Sequence, residues 1–383
     1  MKQLFLFILL SVALFSCHKK DGTGNDPKSI LTAPAAMAKG INLSNWFNDY
    51  SDHAQFGNRF TVNHFTTFKQ AGFTYVRIPI GSSILFQPAT PSILNPVNLP
   101  FVEAAVNRAL NAGLAVTINY HPASEDYEKL MSTDTVLQRK LADYWYALAD
   151  HFKSYDTTKL FFEVYNEPHV ATANMVPGLS RSWWDPVQLK LIQAVRAAAP
   201  SHYIIAGGEG WNSLDGLQLL LPYNVSKIVY NFHFYEPFVF THQGASWVGS
   251  PMDLLRNVPY PVSPALIAPV IAATADNNAK DLLTWYGGQN YDSAKLASMI
   301  TPVANWAKYN HMPLICNEFG SYKAYAPRDA RLKLVHDVRC ILEKNGIGWA
   351  MWEADEGFGF IEYPGSNRSV FNKDQVLLQA LGL

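Results

Sequence analysis

Two carboxylates stand at the ends of two separate apolar runs of the chain. Glu167 follows a run that starts at Leu160, and Glu318 lies near the end of a run that starts at Pro313. Both runs have the length and apolar character of buried strands. Two carboxyl groups at the ends of separate strands can converge on one bond, and cleavage of a glycosidic bond needs such a pair. The pair therefore predicts glycosidic-bond chemistry.

Further apolar runs accompany these two, and segments with helical periodicity lie between most of them. The eight runs are 38–43, 75–80, 115–120, 160–166, 203–207, 228–235, 313–319 and 348–352. The helical segments are 61–71, 98–112, 135–153, 186–199, 213–220, 293–309, 328–344 and 374–381. The runs are continuous rather than alternating in apolar character, which is typical of parallel strands buried on both faces. The pattern predicts an α/β fold, a (β/α)8 TIM barrel with enlarged βα loops.

Polar and aromatic side chains gather where the apolar runs stop. In a (β/α)8 barrel the C-terminal ends of the strands meet at one face and carry the active site. The residues there are Arg77, His121, Asn166, Glu167, Glu209, Trp211, His233, Tyr235, Glu318, Trp352 and Glu353. Strand ends are also where solvent begins, which alone explains one or two polar residues but not this set. We expect them to form one site.

Composition allows a large core and excludes some partners. Hydrophobic residues make up 49% of the chain and charged residues 16%, so a large buried core is feasible. The net charge is −1 without a long run of one sign, which is not the footprint of a nucleic-acid binder. A stretch rich in proline and aromatic residues, about 236–292, breaks the strand–helix rhythm. It follows the sixth strand, and we expect a helical piece near 264–276 within it. We interpret 31–383 as one catalytic domain with an insertion at 236–292, and expect a monomer.

The N-terminal residues have the pattern of an export signal. Residues 1–16 carry a basic start and a short apolar run, as a signal peptide does. Cys17 follows directly and resembles the lipidated first residue of a bacterial lipoprotein, although a plain secretory signal with a chance cysteine is the alternative. Residues 17–30 are then a lipid anchor and flexible tether. These features predict an exported lipoprotein of the outer membrane, on its periplasmic or cell-surface side, that touches the membrane only through this anchor.

Seven segments, in order along the chain, resemble glycoside hydrolase family 5. They are Gly40–Trp46, Val76–Pro79, Asn119–His121, Tyr165–Pro168, His233–Tyr235, Asn317–Gly320 and Trp349–Trp352. The Asn-Glu-Pro motif alone is moderately specific, whereas the ordered set is highly specific. The resemblance implies a retaining glycosidase with the acid/base on strand four and the nucleophile on strand seven. By position these are Glu167 and Glu318.

The chemistry of these roles assigns tasks to the neighbouring residues. Glu318 must stay ionised, and Arg77 together with a hydrogen bond from Tyr235 can keep it so. Glu167 must hold a proton for the leaving oxygen and later accept one from water. Asn166 can donate to the sugar 2-hydroxyl, a bond that strengthens in an oxocarbenium-like transition state.

The other candidates each have a structural alternative. His121 and His233 can bind hydroxyls and orient the carboxylates, or they are packed histidines. Trp352 is expected to stack beneath the sugar at the cleavage point. Trp211 and Trp46 are candidate sugar platforms, and for both a place in the core is the alternative. Glu163 and Tyr165 alternate with Glu167, so we expect them to point into the barrel as structural residues.

Other chemistries lack their motifs. The two histidines could suggest a metal site together with Glu318, Glu209 or Asp126. However, no His-Glu-x-x-His or similar ligand spacing is present. The chain also contains no Gly-x-Ser-x-Gly elbow and no Gly-x-Gly-x-x-Gly after a strand. We therefore expect no metal and no cofactor.

Three functions remain open at this stage. The first is a retaining hydrolase of β-linked polysaccharides or oligosaccharides, an endo-β-1,4-glucanase. The second is a β-mannanase or exo-β-1,3-glucanase on the same scaffold, since the sequence does not say how the sugar 2-hydroxyl is recognised. The third is a catalytically inactive glycan-binding lipoprotein, which would require the loss of a carboxylate or of its supporting arginine.

Overall fold

The computed structural model describes residues 33–48, 53–122, 125–170, 179–180 and 182–383. The predicted signal peptide, Cys17 and the tether therefore lie outside the described residues. Within the described part, no helix has both the length and the apolar character needed to cross a membrane.

Eight parallel strands close into a barrel in which each strand pairs with the next along the chain and the last pairs with the first. The strands are β1 Lys39–Asn42, β2 Tyr75–Gly81, β3 Ala115–His121, β4 Leu160–Glu163, β5 Tyr203–Gly207, β6 Ile228–Phe234, β7 Leu314–Phe319 and β8 Gly348–Met351. Almost every residue in them is buried, as continuous apolar runs require. The predicted (β/α)8 barrel is confirmed.

Helices cover the barrel and extend its loops. They are α1 His53–Asn58, α2 Val62–Ala71, α3 Leu99–Asn111, α4 Glu125–Thr133, α5 Thr135–Phe152, α6 Trp184–Ala198, α7 Glu209–Asn212, α8 Leu214–Leu219, α9 Phe238–Thr241, α10 Pro264–Ala273, α11 Asn277–Gly288, α12 Ser293–Tyr309, α13 Arg328–Lys344 and α14 Gln375–Ala380. Every helical segment that the sequence predicted forms, with ends within three residues of those expected. Aspartates cap several of them; Asp134, for example, accepts hydrogen bonds from the first turn of α5.

The N-terminal end of the barrel is filled by side chains from the first residues of the strands. This cluster consists of Met37, Tyr75, Ala115, Phe161, Ile205, Val229, Ile315 and Ala350, all buried. A side chain on Gly40 would lie 2.4 Å from the Tyr75 ring, so β1 can pass this ring only because residue 40 is glycine. The barrel is thus a packed core rather than a pore, and its other end is left for the site.

The fourth strand is shorter than the sequence predicts. The apolar run extends to Asn166, but β4 ends at Glu163. The Asn166 amide still donates to the Tyr120 carbonyl at 2.8 Å, and then Glu167 turns into the left-handed region with φ 47°. Asn166 and Glu167 therefore lie on the loop after β4, where the backbone can aim the Glu167 carboxyl across the barrel mouth.

The segment between β6 and α12 has its own helices. It contains α9, a short 3-10 turn Met252–Leu254, α10 and α11. The helical piece expected near 264–276 is α10, whereas α11 was not predicted. A small antiparallel pair, β9 Ile361–Glu362 with β10 Asn372–Lys373, follows the eighth strand. Both additions enlarge loops at the C-terminal face.

Candidate active site

A cleft of about 1160 Å³ lies at the C-terminal end of the barrel. Most of the predicted site residues line it: His121, Glu167, Trp211, His233, Tyr235, Glu318 and Trp352. Arg77 and Asn166 lie buried beneath them and are hydrogen-bonded to each other at 2.8 Å. Nine of the ten residues to which the sequence analysis gave a catalytic or sugar-binding role thus come together, and the exception is Trp46. Of the two other strand-end residues, Glu353 lines the cleft and Glu209 begins α7 beside it.

Glu318 ends up almost wholly buried, with both carboxyl oxygens hydrogen-bonded. Arg77 Nη1 donates to Oε1 at 2.6 Å and the Tyr235 hydroxyl to Oε2 at 2.9 Å. Burial raises the pKa of Glu318 above its usual value, and the Arg77 charge opposes this rise. Both contacts expected from the sequence are present, and both favour the ionised carboxylate.

Arg77 is fully buried and bridges two carboxylates. Its Nε and Nη2 donate to Glu163 at 2.6 and 2.9 Å, and its Nη1 donates to Asn42 at 2.9 Å as well as to Glu318. Glu163 also accepts a bond from the Asn317 side chain at 2.9 Å. Sequence reasoning gave Glu163 only a structural role inside the barrel. The sequence did contain a signal for its pairing with Arg77. Glu163 is a charged residue within an apolar run, and a buried charge needs a buried partner.

Glu167 has the environment of a proton donor. Burial raises the pKa of Glu167 to about 7, although the Arg77 and His169 charges partly oppose the rise. About 27% of its side chain is still exposed, so the carboxyl faces the cleft. His233 Nδ1 lies 2.7 Å from Oε1. A carboxyl with this pKa is partly protonated at neutral pH, as a general acid must be.

His233 lies between the two carboxylates as a neutral ring. Burial lowers the pKa of His233 to about 4. The Asn212 amide lies 3.4 Å from Nε2 and can donate to it, which leaves the proton on Nδ1. Nδ1 then donates to Glu167 at 2.7 Å and lies 3.6 Å from Glu318 Oε2.

The two carboxyl groups approach closely. One oxygen of Glu167, one oxygen of Glu318 and one nitrogen of His233 lie within 4.8 Å of one another. Retaining glycosidases hold their carboxyls about 5–5.5 Å apart, whereas inverting enzymes need about 6.5–9.5 Å to admit a water molecule. The spacing fits the first class.

The same three residues also offer enough ligand atoms for a metal ion. Two observations favour the acid pair. The 2.7 Å between His233 and Glu167 is a hydrogen-bond distance, shorter than the roughly 3.4 Å between ligands of one tetrahedral ion. Arg77, a cation, already bonds Glu318 and would repel a second cation there.

His121 and Asn166 form one wall of the cleft. Burial lowers the pKa of His121 to about 3, so the ring is neutral. Its Nδ1 contacts Asn119 at 3.2 Å and its Nε2 lies 3.4 Å from the Asn166 amide. Since Arg77 occupies the Asn166 oxygen, the Asn166 nitrogen is the group left to donate to a substrate. The His121 ring also lies parallel to Trp352, with ring centres 6.2 Å apart.

The two candidate platforms differ in their surroundings. Trp211 is 50% exposed and lines the cleft, with its rear face stacked on His169 at 4.3 Å. Trp46 is fully buried: its ring stacks on Phe47 at 4.4 Å and its indole N–H donates to the Phe56 carbonyl at 3.1 Å. The expectation that Trp46 binds sugar is wrong, because the chain after β1 turns this ring into an aromatic cluster.

Loops add residues that sequence reasoning did not select. His169 follows the Asn-Glu-Pro motif and touches both Glu167 and Trp211. Trp247, in the β6–α12 segment, lines the cleft beside Tyr322, with ring centres 4.9 Å apart. Tyr165 was expected to point into the barrel, but it packs outward on Trp184 because β4 has already ended. Of these loop residues, only His169 had a sequence signal, its position directly after the motif.

Known proteins share this chain's sequence pattern and fold. The family described as cellulase, glycosyl hydrolase family 5, matches residues 32–357. Endoglucanase C of Acetivibrio thermocellus is 28% identical over 321 residues, which cover 82% of this chain and 90% of that protein. Endoglucanase 3 of Fibrobacter succinogenes is 25% identical over 339 residues; the match covers 85% of this chain but only half of that protein.

Solved structures agree with these relatives. Cel5A of Thermotoga maritima in complex with cellobiose has a TM-score of 0.71 and 28% identity, covering 91% of this chain and 98% of that one. The same enzyme with a mannotriose substrate also has a TM-score of 0.71, with 28% identity and coverage of 90% and 97%.

Barrel and acid pair together define the class of protein, an O-glycosyl hydrolase. The match over residues 32–357 then fixes its place within that class. The chain belongs to glycosyl hydrolase family 5, the cellulase family.

Proposed function

We propose that this protein is an endo-β-1,4-glucanase that cleaves by double displacement, with Glu318 as nucleophile and Glu167 as acid/base. The observation that carries the proposal is the close pair of carboxyls in unlike settings. Glu318 is held by Arg77 and Tyr235 at 2.6 and 2.9 Å, while burial raises the pKa of Glu167 to about 7. Unlike settings separate the two roles.

In the first step, Glu318 attacks the anomeric carbon while Glu167 gives its proton to the leaving oxygen. The carbon–oxygen bond to the leaving sugar breaks and an ester bond to Glu318 forms. Asn166 donates its free amide hydrogen to the 2-hydroxyl of the reacting sugar, and Trp352 lies beneath the ring.

In the second step, Glu167 is ionised and takes a proton from water. The water oxygen attacks the anomeric carbon, and Glu318 leaves as a carboxylate. Two inversions at one carbon give net retention. His233 donates to Glu167 in both steps and keeps its carboxyl aimed at the cleavage point.

Cleft size and relatives support a polymeric glucan as substrate. A volume of about 1160 Å³ exceeds the roughly 300–1,000 Å³ of most small-molecule sites. The endoglucanase names of the relatives favour β-1,4-glucan. A β-mannan is the second candidate, because the similar Cel5A of Thermotoga maritima was solved with a mannotriose substrate.

The test is hydrolysis of a panel of cellulose, mixed-linkage glucan, xyloglucan and mannan. We expect mixed oligosaccharides early in the reaction, and NMR should show the β-anomer as first product. Release of α-anomer would overturn the nucleophile role of Glu318. Release of monosaccharide alone would overturn endo action.

We also propose that the protein is anchored to the outer membrane through lipidated Cys17, on the basis of the signal-like residues 1–16. Labelled palmitate should enter the wild type but not Cys17→Ser, and the variant should leave the membrane fraction. Equal membrane retention of both would contradict the anchor.

A further inference from the structure

The loops after β4 and β5 are joined directly beside the acid/base. His169 Nδ1 lies 2.8 Å from the Glu167 carbonyl oxygen, so the ring donates to it. The other side of the loop is held by the Gly210 amide, which donates to the Pro168 carbonyl at 2.8 Å. The His169 ring also stacks on Trp211, with centres 4.3 Å apart and planes 21° apart.

The backbone at Glu167 needs such support. Its φ of 47° places a residue with a side chain in the left-handed region, which the surrounding structure must maintain. The direction of the carboxyl depends on this backbone. A donor on the Glu167 carbonyl fixes the peptide plane that follows, and with it the direction of the carboxyl.

His169 is itself fixed from the protein interior. Its backbone N–H donates to the Glu128 carboxyl, which also accepts the Tyr165 hydroxyl at 2.9 Å. Glu128 is buried on α4. His169 is therefore held in place between the interior and the cleft. This fixes both contacts of its ring, the one with the Glu167 carbonyl and the one with Trp211.

We propose that His169 is a positioning residue that joins the exposed Trp211 platform to the acid/base Glu167. The His169 ring supports Trp211, on which a sugar of the leaving group can stack. The same ring orients Glu167, whose carboxyl protonates the leaving oxygen. The inference rests on the proposed function, because it assigns His169 a part in proton donation. It predicts that loss of the hydrogen bond from His169 to the Glu167 carbonyl slows cleavage of bonds whose leaving oxygen needs a proton and spares bonds whose leaving group needs none.

Two variants separate the two contacts. His169→Phe keeps a flat ring for Trp211 and loses the donor to Glu167. His169→Asn keeps a donor near the Nδ1 position and loses the ring. His53→Phe is the matched control, because His53 on α1 also stacks on a ring, Phe101 at 5.2 Å, and makes one hydrogen bond, to Asn98 at 2.9 Å.

The assay compares kcat/KM for cellohexaose and for 2,4-dinitrophenyl β-cellobioside. Both values report the first step, and the dinitrophenolate group leaves without a proton. In His169→Phe, kcat/KM for cellohexaose divided by kcat/KM for the dinitrophenyl substrate should fall by about 10-fold. This is a smaller loss than the roughly 10²–10⁴-fold that removal of the whole general acid causes. In His169→Asn kcat for cellohexaose should hold, and the ratio should fall only through KM for cellohexaose, which rises about 2- to 10-fold as the platform loosens.

An unchanged ratio in a folded His169→Phe would overturn the inference, as would a fall in cellohexaose kcat in His169→Asn, or a fall in the ratio in His53→Phe, that equals the fall in His169→Phe. Melting curves identify variants that fail to fold, and His169→Asn then decides through its split between KM and kcat. A wild type that cleaves neither substrate overturns the proposed function itself. An active wild type with an unresponsive His169 refutes the positioning role alone.

Discussion

Removal of the Arg77 charge should damage both stability and the nucleophile. Arg77 is fully buried and donates to Glu163 and Glu318, so Arg77→Met leaves two buried carboxylates without their cation. Breaking a buried pair in this way costs about 3–5 kcal/mol. That is a large part of the roughly 5–15 kcal/mol by which a domain is stable.

The loss should depend on pH with a definite sign. The Arg77 charge lowers the pKa of Glu318 against the larger effect of burial, so the variant raises this pKa further. A carboxyl with a raised folded-state pKa destabilises the fold at pH values above its unfolded pKa, where the unfolded chain ionises more easily. The deficit of Arg77→Met should therefore be largest near neutral pH and shrink as the pH falls through the raised pKa.

Urea unfolding across pH and the pH profile of kcat/KM measure both effects. The acidic limb of kcat/KM, which reports an ionised nucleophile, should move to higher pH. Arg77→Met with Glu163→Gln should recover part of the stability, because one of the orphaned charges is gone. A variant within about 0.5 kcal/mol of wild type at pH 7, with an unmoved acidic limb, would refute the reasoning.

Three further outcomes are expected. Glu167→Gln should lower kcat/KM on cellulose by about 10²–10⁴-fold and remove the basic limb of the pH profile near pH 7. The loss on dinitrophenyl cellobioside should be far smaller, and an equal loss on both substrates would argue against an acid role. Trp211→Ala should raise KM for long oligosaccharides with an unchanged melting temperature, since the ring is half exposed; calorimetric binding that matches wild type would contradict the platform. Trp46→Ala should lower the free energy of unfolding, measured in urea, by about 3–5 kcal/mol while KM stays constant. A rise in KM without loss of stability would show that Trp46 binds substrate.

The barrel and its order could be predicted because the buried strands are continuous apolar runs and the helices have clear periodicity. The end of β4 could not. The residues Val164 to Asn166 remain apolar or hydrogen-bonded to β3 and β5, so the sequence pattern continues where the strand ladder stops. The apolar pattern indicates which residues are buried, and at this point buried residues continue beyond the last residue of the strand.

The tryptophans show a second limit. Trp46 and Trp211 both follow strands, and both are large rings with one polar group. What separates them is the partner on one face: Phe47 and its neighbours enclose the first, while His169 supports the second from one side only. These partners are known only once the loops are in place. The same holds for α11 and Trp247, whose segment had no strand–helix rhythm to follow.

The position of His233 between the two carboxylates bears on the charge inside the barrel mouth. In the proposed mechanism, Glu318 is negative and Glu167 holds a proton before the first step. After that step Glu318 is an uncharged ester and Glu167 is negative. The total charge is the same before and after, and the negative charge only moves between two carboxyl oxygens less than 5 Å apart. His233 Nδ1 lies beside both carboxyls, 2.7 Å from Glu167 and 3.6 Å from Glu318. Because no net charge is created or lost, the surrounding dipoles need little reorientation at either step. A buried site that keeps its charge constant can remain rigid throughout a turnover.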